Sequence, residues 1–453
     1  MKIVVIGGGA AGPKVAAKSR RMNPANEISM YAEGGVVSYS ACGLPYFIAG
    51  DVKEIDNLII RTPEEFEAQG IRVFLNHKCE RILPDENAVI VNGEKVHYDE
   101  LVIATGAKVA PLDIKGIELE NIFHVHTIPD GPAVKEKMLT SKRAILVGAG
   151  LIGIEMLEAF VRHGLSVTMI EAKEHVLPMF DPEISDLIEK HILDKDGDKI
   201  TFLKGDTVEE FFGDEGVFRG VKTRSGKTIE ADLCVVATGV VPNVEVAQEA
   251  GVKIGITGAI EVDERMKTNI PHIWAAGDCT QKTCIVTGRP VYFSLGSIAN
   301  KEGRVCAINV SGGDEVFGGI LCSAVTRYFG YTMSTTGLTE QVAQKCAKGC
   351  GFEPIAATVT KADRAGYMPE MNEITVKLTA DKKTGKILGA QAIGEGDADK
   401  RINVITSAIQ SKLDVDDLLH LDLTYAPPFG TAIDPLHEAA YRLKTLIDNS
   451  APA

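Results

Sequence analysis

The chain has 453 residues, 45% of them hydrophobic and 24% charged, which is the composition of an ordinary globular protein of two or three domains. A formal net charge of −14 argues against general electrostatic attachment to nucleic acid or to an anionic membrane. Nine cysteines, an odd number scattered over the whole length, argue against a secreted disulfide framework and fit a reducing cytosol.

The chain opens with a strand, Ile3 to Ile6, that runs into Gly7-Gly8-Gly9-Ala10-Ala11-Gly12 and then a helix through Val15, Ala16, Ala17 and Arg21. The apolar stretch at this start is about five residues, short of a signal-peptide core. No apolar run is long enough to cross a bilayer, so a cytoplasmic protein is expected. In Gly7-x-Gly9-x-x-Gly12 the first glycine allows a tight turn, the second lets backbone approach a pyrophosphate, and the third packs helix on strand. The helix N-terminus then holds the anion. Ile28-Ser29-Met30-Tyr31 reads as the next strand, with Ala32 and then Glu33 after it, and Glu33 is expected on a ribose. Ser38-Tyr39-Ser40-Ala41-Cys42-Gly43-Leu44-Pro45-Tyr46 follows, and Leu101-Val102-Ile103-Ala104-Thr105-Gly106 is a further strand.

The same pattern then repeats. Ala144-Ile145-Leu146-Val147 leads into Gly148-x-Gly150-x-x-Gly153, with a helix from Glu155 to His163. Val167 to Ile170 ends in Glu171, about twenty residues on, where the dinucleotide fingerprint places its ribose-binding acid. A carboxylate there accepts from a ribose 2′-OH and repels a 2′-phosphate, which favours NADH, while Lys173 leaves room for NADPH. Leu233 to Gly239 repeats the Ala-Thr-Gly segment. Two such units imply two nucleotide-binding domains. Thr268 to Asp278, ending Trp274-Ala275-Ala276-Gly277-Asp278, has no counterpart in the second unit and reads as the chain's return to the first. From about Phe317 alternating strands (Ile374 to Leu378, Ile387 to Ala392) join at Asp381-Lys382-Lys383-Thr384-Gly385, and helical stretches follow at Lys400 to Ser411 and Pro435 to Asp448, an α+β pattern.

With both Gly-rich motifs, both Ala-Thr-Gly segments, Ala276-Gly277-Asp278, the C-terminal pattern and Cys42 in its Ser-Tyr-Ser-Ala-Cys-Gly-Leu-Pro setting, nearly the whole chain resembles the pyridine nucleotide–disulfide oxidoreductases. The likeness is to their single-cysteine branch of coenzyme A disulfide reductases, persulfide reductases, NADH oxidases and NADH peroxidases. It implies two doubly wound, Rossmann-like α/β domains, the second inserted in the first, and a C-terminal α+β dimerisation domain. The expected bounds are 1–113 with 245–318 for FAD, 114–244 for NAD(P)H, and 319–453 for the interface. FAD would sit on Gly7, Gly9, Gly12, Glu33, Thr105, Gly106 and Asp278. NADH would sit on Gly148, Gly150, Gly153, Glu171 and Gly239, with Glu155 facing the nicotinamide. No metal is implied.

Relatives with two cysteines space them Cys-x4-Cys, and Phe47 stands at the second position here, so the sulfur that partners Cys42 must come from outside: a thiol, a persulfide, or oxygen as sulfenic acid. A nearby flavin and a helix N-terminus are expected to favour the Cys42 thiolate. Cys279-x4-Cys284 and Cys346-x3-Cys350 read as structural. Oxidases and peroxidases of the branch carry a histidine where this chain has Ala10. Coenzyme A disulfide reductases instead carry two tyrosines that reach the partner subunit's cysteine, matched here by Tyr367 and Tyr425. Lys18, Arg21 and Ser38 match positions that contact coenzyme A, although the basic pair Arg20-Arg21 equally suits a solvated helix face. Ala41 replaces a usual Asn, Leu151 replaces a usual aromatic gate, and His437-Glu438 reads as structural. The resemblance implies a homodimer that moves hydride from NADH through FAD to a small-molecule disulfide or persulfide on Cys42, such as a coenzyme A derivative. An NADH oxidase working through Cys42 sulfenic acid, or a redox-sensing flavoprotein with a protein acceptor, is the alternative.

Overall fold

The structure is a computed structural model that describes residues 1–449. Continuous apolar runs make its first sheet. Ile273–Ala275, Glu100–Ile103, Lys2–Ile6, Glu27–Tyr31 and Ile71–Phe74 lie side by side in that order, all parallel. Strands buried on both faces read as unbroken Val and Ile because helices must cover a parallel sheet. Helices Ala11–Met22 and Gly296–Val310 pack together over Val5, Met30 and Val102 of this sheet.

The second sheet repeats the first. Ile122–Phe123, Leu233–Val236, Arg143–Val147, Ser166–Glu171 and Ile200–Lys204 run in the equivalent order, again all parallel. The edge strand shows where the sequence reading needs correcting. Ile273–Ala275 does have a spatial counterpart, the two-residue strand Ile122–Phe123. The equivalence is hidden in the sequence because one edge strand follows its unit and the other precedes it. Each unit also carries a three-stranded antiparallel sheet that the sequence reading missed: Cys79–Leu83, Ala88–Val91 and Glu94–His97 in the first, Val208–Asp214, Val217–Thr223 and Thr228–Glu230 in the second.

The third domain is a five-stranded antiparallel sheet with Glu373–Asp381 and Ile387–Gly394 paired as the expected hairpin. Helices Ala398–Gln410 and Pro435–Asn449 bury Ile402, Ile405, Leu436 and Leu443 against Val376 and Leu378. A buried lysine ties this domain to the second unit. The Lys377 ammonium lies 2.8 Å from Asp181 and 2.7 Å from Glu340, and it also bonds Glu183. The three carboxylates therefore converge on a lysine side chain. Among the described residues no helix is long and apolar enough to cross a membrane.

Candidate active site

Both Gly-rich turns are built alike. Gly7 and Gly148 have φ of 120° and 103°, and a Cβ on either would lie 1.9 or 2.5 Å from the carbonyl oxygen of Ala104 or Ala237. Gly12 and Gly153 press so close to the turn that an added Cβ would come within 2.0 and 2.2 Å of the Gly7 and Gly148 oxygens. Gly9 and Gly150 face open space, with nothing within 4 Å of an added Cβ. Side chains are excluded at the outer two glycines by protein, and at the middle one by whatever comes to lie there.

A cleft of about 1550 Å³ opens over the first turn. Gly7, Gly9, Glu33, Ser38, Cys42, Thr105, Gly106 and Asp278 line it, as do Arg21, Arg61 and Leu151. Asp278 presents a buried Oδ1 with no hydrogen-bond partner, which calls for a donor from a ligand. The Thr105 hydroxyl is already tied, donating to the Asn243 carbonyl at 2.7 Å. An open cradle over Gly9 and an unpartnered carboxylate oxygen at the far wall fit FAD.

Cys42 stands on a 3₁₀ turn, Ala41–Gly43, that leads directly into helix Leu44–Ala49, and its residue is exposed to the cleft. Phe47, one helical turn and a half on, is buried and lies under the Lys135 ammonium at 4.1 Å from the ring centroid. The protein's own groups, taken alone, act on the thiol in the opposite direction to that expected of a bound flavin. Crowding by the protein pushes the Cys42 thiol up, the Glu155 carboxylate adds to this and Asp278 contributes less, while the Gly296 backbone N–H opposes them. Glu155 lies on helix Leu151–Arg162 and accepts from the Tyr46 hydroxyl at 3.3 Å. Burial pushes its carboxyl up to about 7, against the pull of Tyr46 and Arg327.

The ribose acids differ between the units. Glu171 accepts from the Ala149 N–H at 2.7 Å and from the Lys173 N–H at 2.9 Å, so the carboxylate braces the second Gly-rich turn. Each oxygen retains a lone pair for a ribose hydroxyl. Glu33 is exposed and paired with Lys78 at 2.9 Å. Strand register explains the contrast. Gly7 donates to Tyr31 and Gly148 donates to Ile170, both at 2.8 Å, so Ala32 occupies the position of Glu171 and Glu33 falls one residue later.

Lys14, Ala17 and Arg21 line the cleft wall, and Lys18, one turn after Lys14 on the same helix, is half-buried and lies outside that lining. Arg20 and Arg21 divide their roles. The Arg20 guanidinium is spent on the carbonyls of Gln69, Pro24 and Asn26 at 2.8, 2.6 and 2.8 Å, leaving Arg21 on the cleft. Tyr367 and Tyr425 are 75% and 54% exposed on the third domain and do not line this chain's own cleft. Glu155, Gly12, Gly148, Gly150, Gly153, Glu171 and Gly239 also lie outside its lining. Cys279 and Cys284 are buried in separate cores, the first donating to carbonyls of Ile103 and Ala276. His437 bonds the Leu421 carbonyl at 3.0 Å, and Glu438 faces Lys361 at 3.7 Å.

Two functional clusters escaped sequence reasoning. Glu302, fully buried on helix Gly296–Val310, accepts from the Gly277 N–H at 2.8 Å, the Thr280 hydroxyl at 2.9 Å and the Lys282 ammonium at 3.2 Å. It fixes the turn that presents Asp278, and its signal was a carboxylate on the mainly apolar buried face of the helix. Behind Cys42, Asp51 bridges Arg162 at 2.5 Å and Arg327 at 2.7 Å, joining the Cys42 helix to the second unit and the third domain. No local sequence signal marks that junction.

Residues 1–346 match the pyridine nucleotide-disulphide oxidoreductase family, and residues 323–437 match its dimerisation domain. The chain is 36% identical over 451 residues to an NAD(P)H coenzyme A polysulfide/persulfide reductase of Pyrococcus horikoshii, covering 98% of both chains. It is 34% identical over 452 residues to an NADH oxidase of Methanocaldococcus jannaschii, covering 97% of this chain and 98% of that one. The solved structure of an NAD-dependent persulfide reductase from A. fulgidus superposes with a TM-score of 0.95 at 37% identity, over 99% of this chain and 84% of the other.

Proposed function

Because this chain belongs to the pyridine nucleotide-disulphide oxidoreductases, a family that uses FAD, we propose that it carries electrons from NADH to a disulfide or persulfide sulfur held on Cys42. The observation that carries this reading is the exposed thiol of Cys42 on the dinucleotide cleft, with a buried Phe47 where a second redox cysteine would stand. FAD, when bound over Gly9, supplies the two-electron relay between nicotinamide and sulfur.

The chain's own residues do the rest. Gly7, Gly9 and Gly12 admit the pyrophosphate, and Asp278 is offered for a donor on the flavin's polar chain. Gly148, Gly150 and Gly153 admit the nicotinamide dinucleotide, and Glu171 receives its ribose hydroxyl and disfavours a 2′-phosphate. The Cys42 thiolate attacks one sulfur of the substrate; the substrate's S–S bond breaks, one half departs as a thiolate or hydrosulfide, and Cys42 holds the other half as a mixed disulfide. Arg21 and Ser38 on the same cleft suit an anionic thiol such as coenzyme A. Tyr367 and Tyr425, exposed together with Phe429, Ile433 and Tyr441, suit a homodimer in which each third domain serves its partner's cysteine. A phenol there donates to the departing thiolate.

The similarity to an NADH oxidase favours a second reading, O₂ reduction through a sulfenic acid on Cys42. Ala10, in place of a loop histidine, favours sulfur. Steady-state turnover of the pure protein with coenzyme A disulfide, coenzyme A persulfide, polysulfide and O₂ decides between them. A sulfur substrate is expected to give the highest kcat/KM, and faster O₂ consumption than any of these would replace this reading with the oxidase.

A further inference from the structure

The Asp278 turn is held from beneath by two charges that have no access to water. The Lys282 ammonium donates to the Gly277 and Thr280 carbonyls at 2.6 and 2.9 Å, and to the Thr280 hydroxyl at 2.7 Å. It faces Glu302 at 3.2 Å, and both side chains are 0% exposed. Glu302 accepts from the Gly277 N–H at 2.8 Å, so the pair grips Gly277 by its amide and by its carbonyl. The Asp278 carbonyl is taken by the Tyr292 hydroxyl at 2.9 Å. Two buried carboxylate oxygens here lack a partner, Asp278 Oδ1 on the cleft and Glu302 Oε1 behind it. Three walls of the cleft converge on the pair. Gly277 has φ of 92°, and a Cβ on it would lie 2.8 Å from the Ala11 Cβ, at the start of the helix that follows the first Gly-rich turn. A Cβ on Gly303, next to Glu302, would lie 2.8 Å from the Ala11 carbonyl oxygen. The helix that bears Glu302 starts at Gly296 and lines the cleft with Gly296, Ser297 and Asn300.

We propose that Lys282 and Glu302 are a positioning pair for FAD: they hold the Asp278 turn and the helix that begins at Gly296 at a fixed separation, and their charges cancel beneath the cofactor. The inference rests on FAD as the occupant of the first cleft. Stability alone does not account for an ion pair in this place. Taking both charges out of water costs about as much as their attraction returns, and well-packed apolar residues of the same volume do as well or better. What apolar residues cannot do is bond Gly277 by both its amide and its carbonyl, and so fix the direction in which the next side chain, Asp278, is offered to the cleft. The close approaches at Ala11 leave no slack, so a shift of the pair moves the Asp278 turn and the Gly296 end of the helix against the pyrophosphate turn. The charges act as well. In a site closed to water an unbalanced charge is felt over many ångströms. An unpaired Lys282 favours the electron-rich reduced cofactor, and an unpaired Glu302 favours the oxidised one. The intact pair favours neither.

Two readouts on the holoenzyme test the pair without turnover: the FAD dissociation constant, from flavin fluorescence on serial dilution, and the flavin midpoint potential, from anaerobic titration against a dye of known potential. Glu302→Gln keeps the shape and an acceptor for the Gly277 N–H but strands the Lys282 charge, so the potential is expected to rise. Lys282→Met strands the Glu302 charge, and the potential is expected to fall. Single variants that break a buried pair can fail to fold, so a double variant, Lys282→Met with Glu302→Leu, carries the decision in that case. It leaves no stranded charge, and its thermal midpoint and flavin potential are expected to stay near those of wild type. Its turn has lost the bonds to Gly277, so FAD binding is expected to weaken about tenfold. A double variant that binds FAD within about twofold of wild type overturns the positioning role. So does a double variant that does not fold, because the pair would then be an element of the fold itself. Folded single variants whose potentials shift in the same direction, or not at all, overturn the cancellation of charge. A wild-type protein that binds no FAD defeats the reading on which the inference rests, whereas wild-type binding with an unaffected double variant defeats the role of the pair alone.

Discussion

The two nucleotide units share spatial strand order, turn geometry and the placement of the three motif glycines, and differ at the position that follows the second strand. In the second unit that position is Glu171, whose carboxylate grips the Ala149 N–H. In the first it is Ala32, whose methyl fills the same place against Gly8, 2.7 Å from where a Gly8 Cβ would stand. The pairing of Ala149 with Glu171 and of Gly8 with Ala32 shows one backbone serving two ligands by exchanging what braces the turn. The first unit carries Cys42 and the main cleft, while the second supplies a matching Gly-rich turn whose middle glycine faces open space.

The contrast is broken most severely at the middle glycines. Gly9→Val leaves the protein core untouched but fills the cradle, so the purified protein should be colourless and inactive, read by its visible spectrum. Gly150→Val fills the second cradle alone, so the protein should stay yellow while its KM for NADH rises steeply. A colourless Gly150→Val protein would mean that the units do not divide their ligands this way. The next effect in size belongs to the third domain. Tyr425→Phe should lower kcat by about 10²-fold, the low end for a lost general acid, with less if water substitutes. Mixed dimers of Tyr425→Phe and Cys42→Ser subunits should recover activity, and a fully active monomer would contradict sharing of the site. Glu171→Ala should narrow the NADH-over-NADPH ratio of kcat/KM by about tenfold, because the repulsion of a 2′-phosphate is gone. It should also lower thermal stability, because the Ala149 N–H loses its acceptor. Glu33→Ala should change least. Its exposed pair with Lys78 is worth about 1 kcal/mol or less, read as a small change in FAD affinity.

The repeat made the fold legible. Periodic apolar runs, Gly-rich turns and the Asp381 to Gly385 hairpin are local signals, and each led to the right element. The short edge strand Ile122–Phe123 was not legible, because two residues carry no period. The small antiparallel sheets were missed because their strands do not alternate cleanly in burial, as in Glu94–His97 and Val217–Thr223. In the site, motif spacing pointed to Gly9 and the family resemblance to Cys42 and Asp278, and the structure sets all three on one cleft. The 3.6-residue period sets Lys14, Ala17, Lys18 and Arg21 on one face, and only the packed structure shows that Lys14 and Arg21 are the basic residues of that face on the cleft. The Tyr46–Glu155 bond joins residues 109 apart in sequence, and the Asp51 junction joins three domains, so only tertiary structure brings them together.

The central claim is that electrons reach the substrate through the Cys42 sulfur, and one measurement meets it directly: anaerobic NADH titration of Cys42→Ser followed by addition of coenzyme A persulfide or disulfide. NADH should still bleach the flavin, because that step needs no sulfur. The bleached protein should then fail to recover its colour on addition of either substrate, whereas a double substitution of Cys279 and Cys284 should recover it at close to the wild-type rate. Recovery by Cys42→Ser, with loss in the Cys279/Cys284 variant, would contradict the account and move the chemistry to the wrong-facing, buried pair.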